Sequence, residues 1–166
     1  MVDLGLQRHP RPPACGRRKK GGTDGVLIEQ ALGRSRGGFS TKLHVLVNGL
    51  GLPVEFKLTP GQAADITQAE TLLENYDFDV VLGDKGFDSK KLIGFIESRG
   101  AEAVIPPRSN LKDQREYDRH LYKERNLVER FISRIKQFRR VATRYEKTAR
   151  NFLAFVHLAS ITVLWQ

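Results

Sequence analysis

The chain has 166 residues, enough for one domain with a real core, and carries a net charge of +9. Cys15 is the single cysteine, which excludes a disulfide framework and a cysteine-based zinc site, and His9, His44, His120 and His157 share no ligand spacing. Charge is uneven: 8 basic and 3 acidic side chains in residues 1–40, 6 and 10 in 41–107, and 14 and 6 in 108–166. An acidic centre between basic flanks suits a polyanionic partner such as nucleic acid, with carboxylates for cations and cations for phosphates.

Residues 4–40 read as irregular. Pro10, Pro12 and Pro13 interrupt regular structure, and two basic, glycine-containing runs follow, Arg17 to Gly22 and Gly33 to Gly38. Such runs are either solvated linkers or loops whose amides and guanidinium groups, including those of Arg34 and Arg36, touch phosphate. Residues 1–38 are therefore assigned to a basic N-terminal segment, and 39–166 to the folded domain.

From Phe39 the pattern tightens. Thr41, Leu43, Val45 and Val47 alternate with Lys42, His44 and Leu46 and predict a strand. His44 falls on its more polar face and is expected to be exposed. Asn48-Gly49 signals a turn, and Leu52 to Leu58 reads as the returning strand, broken at Thr59-Pro60-Gly61. Asp65 with Gln68 forms a candidate capping box for a helix through Leu73. Phe78 to Gly83 is a short apolar run, as in a strand buried on both faces, and ends at Asp84-Lys85-Gly86. Asp88 is expected to cap a helix running to Arg99, which Gly100 ends. Ala103-Val104-Ile105 is another short buried strand, closed by Pro106-Pro107, and 108–118 reads as a polar loop.

The segment Tyr122 to Lys136 is the most informative. It places Tyr122, Arg125, Glu129 and Lys136 at offsets that share about a 60° arc of a helix turning about 100° per residue. Beside that arc runs an apolar stripe of Leu121, Leu127, Val128, Phe131, Ile132, Ile135 and Phe138. One helix thus joins a carboxylate to three groups able to meet phosphate. A solvated, salt-bridged surface helix is the competing reading. A last helix is predicted from about Thr148 to Trp165. Its apolar stretch from Phe152 is too short to cross a bilayer, and the N-terminus has no apolar run of the signal-peptide kind. The expectation is a cytoplasmic protein with no membrane partner.

The element order, a hairpin followed by strands alternating with helices, predicts an α/β mixed sheet flanked by helices. Asp84 at the end of a buried strand is where ligand groups of open α/β sheets gather, although an ordinary turn Asp would look the same. Converging carboxylates repel unless cations lie between them, and Mg2+ favours oxygen ligands shared with phosphates.

Four motifs in order carry a resemblance over roughly residues 14–166: QALGRSRGGFSTKLHVLVNGLGLPVEFKL with TPGQAAD, then VLGDKGFDS, then VIPPRSN with the YxxRxxxExxxxxxK helix, then ARNFLAFVHLAS. They resemble the bacterial insertion-sequence DDE transposases, in particular the insertion-sequence-five family. The resemblance implies a ribonuclease H-like fold, metal-dependent strand cleavage and transfer at the ends of a mobile element, and two Mg2+ ions, with Mn2+ as a substitute. It implies that Asp84 and Glu129 are the second and third metal-binding acids. Tyr122, Arg125 and Lys136 match positions expected to contact DNA. It also implies DNA ends and target as partners, a synaptic homo-oligomer, an upstream-frame helical DNA-binding product, and association with the nucleoid.

The first acid departs from the family pattern. Asp3 is the available residue, but Leu4-Gly5 stands where the family has Ser-Thr, and only Met1 and Val2 precede it. The first strand is therefore expected to be incomplete and Asp3 poorly held. On that expectation the chain is a truncated, catalytically impaired transposase that only binds DNA, or part of a split gene. A third reading is another ribonuclease H-like nuclease that hydrolyses without transfer.

Overall fold

The computed structural model of the chain describes residues 2–10, 30–35, 38–110 and 114–165; of residues 2–10 and of Ser35 it describes the backbone alone. Six strands are present among them: β1 (Val2–Pro10), β2 (Gly33–Ser35), β3 (Gly38–Asn48), β4 (Pro53–Pro60), β5 (Val80–Leu82) and β6 (Glu102–Val104). They pair in the order β2-β3-β1-β5-β6, with β4 also paired to β3. β1 with β5 and β5 with β6 are parallel, and β2 with β3 is antiparallel, so the sheet is mixed. The helices are α1 (Ile66–Leu73), α2 (Lys90–Ser98), α3 (Asn126–Ile135), α4 (Arg139–Ala142) and α5 (Ala149–Leu164). The α/β class follows as the element pattern predicts.

For residues 2–10 the expectation of an irregular segment is overturned; the basic run Arg17 to Gly22 lies outside the described residues. Residues 2–10 form a nine-residue strand instead of an irregular segment, and Val2 and Asp3 stand opposite Val81 and Leu82. The strand runs from Val2 to Pro10, so most of its described length follows Asp3. Pro10 does not prevent the strand, because a proline is tolerated at a strand's margin and a paired neighbour supplies the ladder. The assigned boundary at residue 38 also fails to separate irregular from regular chain, since β1 and β2 both precede it.

Contacts divide the chain into two compact units. The first comprises Met1–Gly5, Val45–Glu55 and Ala64–Phe131. Its core joins Leu46 and Val81 to Ala69, Leu72 and Leu73 of α1, to Leu92 and Ile96 of α2, and to Phe87, Ala101 and Ile105. Full burial of each Leu or Ile contributes roughly 1.5–3 kcal/mol. α1 forms without the expected box: Asp65 is already in helical conformation and makes no side-chain cap bond. α2 starts one residue later than predicted. Ser89 is its cap, accepting from the backbone N–H groups of Lys91 and Leu92. It ends as predicted, with Gly100 at φ +75°. The hairpin turn is also as predicted: Asn48 Oδ1 accepts from the Leu50 and Leu52 N–H groups, and Gly51 takes φ +78°.

The second unit comprises Leu6–His44, Phe56–Ala63 and Ile132–Gln166. β3 corrects the alternation reading. Every residue from Ser40 to Val47 is buried, because β3 has paired neighbours and covered faces. His44 is 1% exposed, and its Nε2 shares a 2.8 Å hydrogen bond with Thr59 Oγ1. Lys42 donates to the Ala63 carbonyl at 2.6 Å. Lys42 Nζ and His44 Nε2 thus find partners within the fold, as burial favours. α5 is capped by Thr148, whose side chain accepts from Asn151 N–H, and buries Phe152, Val156, Ala159, Ser160 and Val163 along one face. Among the described residues no helix is long and apolar enough to cross a membrane.

Candidate active site

Asp84 lies two residues past the end of β5 and caps a single 3-10 turn, Lys85–Phe87. Its Oδ1 accepts the Gly86 N–H at 2.6 Å and its carbonyl accepts the Phe87 N–H at 2.9 Å. The side chain is therefore held by the chain it leads. Gly86 is needed for this closeness: a Cβ there would lie 2.7 Å from Asp84 Oδ1. Asp3 is two residues short of Asp84 on the neighbouring parallel strand, since it pairs with Leu82. Two residues of rise are about 7 Å and one strand spacing is about 4.8 Å. The first candidate acid thus sits in a paired strand rather than on a loose terminus.

Glu129 lies on α3, but the arc that contains it is not one continuous α-helix. Leu121–Arg125 is a 3-10 helix, and α3 begins at Asn126. Asp118 sets that start: its Oδ1 accepts from the His120 and Leu121 N–H groups, which hold its carboxyl below the ordinary value. At about 120° per residue, Tyr122 and Arg125 eclipse each other in this turn, so the angular sum for a single helix over 122–136 does not apply. What survives is a contact. Arg125 Nη1 donates to Glu129 Oε1 at 2.5 Å, with Glu129 57% exposed. An exposed pair of this kind adds little stability; its consequence is an oriented carboxylate. Tyr122 packs edge-to-face on Tyr117, centroids 5.6 Å apart.

Val128, Phe131, Ile132 and Ile135 are buried, so the apolar stripe of α3 is real. Lys136, in the second unit, is exposed and continues the helical hydrogen bonding through its N–H to the Ile132 carbonyl. Arg34 is exposed in β2 opposite Phe39. Arg36 and the Asp3 side chain lie outside the described residues. Among the described residues no group of three or more His, Cys, Asp or Glu has metal-holding geometry.

Three residues were passed over in the sequence. Asp88, expected as a helix cap, is buried instead, accepting the Arg108 N–H at 2.7 Å and facing Arg115 at 3.6 Å. Arg108 donates back to the Lys85 and Gly86 carbonyls. The only sequence signal was that both arms fall inside motifs, VLGDKGFDS and VIPPRSN, beside strand ends.

Asp3 lies in β1, Asp84 follows the end of the parallel neighbour β5 by two residues, and Glu129 lies on α3. The model of the transposase DDE domain family matches residues 13–164, a span that contains Asp84 and Glu129 and begins after Asp3. The chain belongs to the DDE transposase domain family. It is similar to the putative transposase for insertion sequence element IS6501 of Brucella ovis, 40% identical over 131 residues, covering 76% of this chain and 98% of that one. It is also similar to the putative transposase for insertion sequence element IS402 of Burkholderia cepacia, 29% identical over 137 residues, covering 75% of this chain and 63% of the other. Among solved structures, the catalytic core domain of BIV integrase aligns with a TM-score of 0.43 and 15% identity over 79% of this chain and 78% of that one.

Proposed function

We propose that this chain is the ribonuclease H-like catalytic domain of a DNA transposase, cutting and rejoining strands at the ends of an insertion sequence. The observation that carries the reading is the family match across the segment in which Asp84 follows β5 and Glu129 rides on α3. The register of Asp3 on the strand beside β5 supports it as the remaining acid.

The donors suit a hard divalent cation. All three are carboxylates, and oxygen ligands are what Mg2+ takes. Asp84 has one oxygen tied to Gly86 N–H, and Glu129 has one tied to Arg125, which leaves the second oxygen of each for a cation. Bound there, two Mg2+ or Mn2+ ions would activate an attacking oxygen and stabilise a leaving one at phosphorus. The chain's own residues do the rest. The Gly86 amide and the Arg125 guanidinium fix the directions of the two carboxylates. Tyr122, Arg125, Lys136, Arg34 and Arg36 supply hydrogen bonds and positive charge to the phosphates of the element end and the target. Phosphate contacts of this kind set register and orientation without reading sequence. Synapsis of two element ends would bring two copies of the chain together, and an upstream-frame product would add end recognition.

The test is cleavage of labelled element-end DNA with Mg2+, followed by joining to target plasmid. Asp84→Asn and Glu129→Gln should each abolish both steps and leave DNA binding largely intact, since the changes remove ligand charge but not shape. Near-normal strand transfer by either variant would remove that residue from the mechanism. Cleavage without joining in the unmodified protein would instead favour a hydrolytic nuclease.

A further inference from the structure

The loops leaving β5 and β6 are tied to each other in both directions by side chains that the reaction does not use. Asp88 lies four residues past Asp84, and its side chain is 4% exposed. Its Oδ2 accepts the backbone N–H of Arg108 at 2.7 Å, and its Oδ1 faces the Arg115 guanidinium at 3.6 Å. Arg115 in turn donates to the Ile105 carbonyl at 2.6 Å. From the opposite side, Arg108 Nε donates to the Lys85 carbonyl at 3.4 Å and Nη2 to the Gly86 carbonyl at 3.2 Å. Each loop thus holds the backbone of the other. A buried carboxylate is costly unless hydrogen bonds and charge meet it, and here both oxygens are met.

The tie lies next to Asp84. The Asp84 carboxylate is oriented by the Gly86 N–H, and the Gly86 carbonyl is held by Arg108. One residue therefore links Arg108 to the acid. We propose that Asp88 and Arg108 are positioning residues, a reciprocal latch across two strand ends that fixes the turn carrying Asp84 and thereby sets the affinity of the site for a divalent cation. The proposal rests on Asp84 being a metal-holding carboxylate. Arg108 holds the turn by its carbonyls and Asp88 holds Arg108 by its N–H, so neither needs to touch metal or DNA. Loss of such outer partners typically weakens metal binding by about 10–100-fold.

The test uses the whole chain with Mn2+ as probe, bound ion being read from the loss of the free-ion electron spin resonance signal. Arg108→Ala should weaken Mn2+ binding by about 10–100-fold and raise the cation concentration that half-saturates cleavage. Arg108→Lys, which keeps a donor to one carbonyl, should recover part of the loss. Asp88→Asn, which keeps an acceptor for the Arg108 N–H, should be milder than Asp88→Ala. A merely structural role would lower the melting temperature and leave the affinity of the remaining folded protein for Mn2+ unchanged. That result, or wild-type Mn2+ binding by Arg108→Ala, overturns the latch. If Asp88→Ala does not fold, the Arg108 pair decides alone. Asp84→Asn is the control: if it loses Mn2+ while Arg108→Ala does not, only the latch fails. If Asp84→Asn binds Mn2+ and cuts normally, the assignment of Asp84 fails beneath it.

Discussion

Gly86→Ala gives the sharpest test of how Asp84 is held. A Cβ at this position would stand 2.7 Å from Asp84 Oδ1, where ordinary contact begins at 3.4 Å. The oxygen must therefore retreat by about 0.7 Å, because the next turn of backbone is fixed by the Arg108 bonds. The Gly86 N–H bond, now 2.6 Å, would stretch to about 3.3 Å, outside the usual range for N–H···O. Folding should barely notice. Gly86 is exposed and its φ lies outside the left-handed region, so the change should alter stability by no more than about 1 kcal/mol. A displacement near 1 Å at a reacting centre costs about 100-fold in rate, so a loss of some tens-fold is expected here. The assay is single-turnover cleavage of element-end DNA across a divalent-cation titration, beside thermal unfolding and DNA binding. Cleavage within about twofold of wild type, with an unchanged melting curve, would refute the idea that the Gly86 amide positions Asp84.

Other outcomes follow from the same geometry. Arg144 is fully buried in the second unit, donates to Thr41 Oγ1 and to the carbonyls of Glu146, Ala31 and Lys147, and lies over the Phe152 ring. Arg144→Ala strands several of these acceptors and should cost about 3–5 kcal/mol, read by denaturant unfolding; a loss below about 1 kcal/mol would show that water replaces the guanidinium. Asp118 caps the turn that carries Tyr122 and Arg125, and its folded pKa lies below the ordinary 3.8 because the His120 and Leu121 amides favour its charged form. Its contribution is therefore complete above that value and disappears as pH falls through the lower, folded value; an Asp118→Ala variant should lose this acid-dependent step, seen as a smaller slope of stability against pH below the ordinary carboxylate range. If about six cationic groups meet phosphates, log K for DNA should fall against log salt with a slope of about −5. Lys136→Ala should reduce that slope by about one, and an unchanged slope would remove Lys136 from the DNA contact.

Much of the architecture was legible because its causes are local. Asn48-Gly49 specified a turn, Gly100 a helix end and Thr148 a helix start, each through hydrogen bonds or torsions spanning a few residues. The apolar runs Phe78 to Gly83 and Ala103 to Ile105 were legible as strands, which the fold forms at Val80–Leu82 and Glu102–Val104, and the order of motifs was enough to point to the family. Asp84 and Glu129 could be singled out by type and place. The errors share one physical origin. Alternation predicted an exposed His44, but a strand with paired neighbours and two covered faces buries every side chain, and Thr59, fifteen residues away, meets the ring. Asp88 and Ser89 are both good caps by propensity. The Arg108 N–H, twenty residues away, takes Asp88 and leaves the helix to Ser89. A strand at Val2–Pro10 becomes visible only once β5 stands beside it. Local hydrogen bonding and periodicity are written in neighbouring residues, whereas the partner of a buried polar group depends on which distant segment the fold brings alongside.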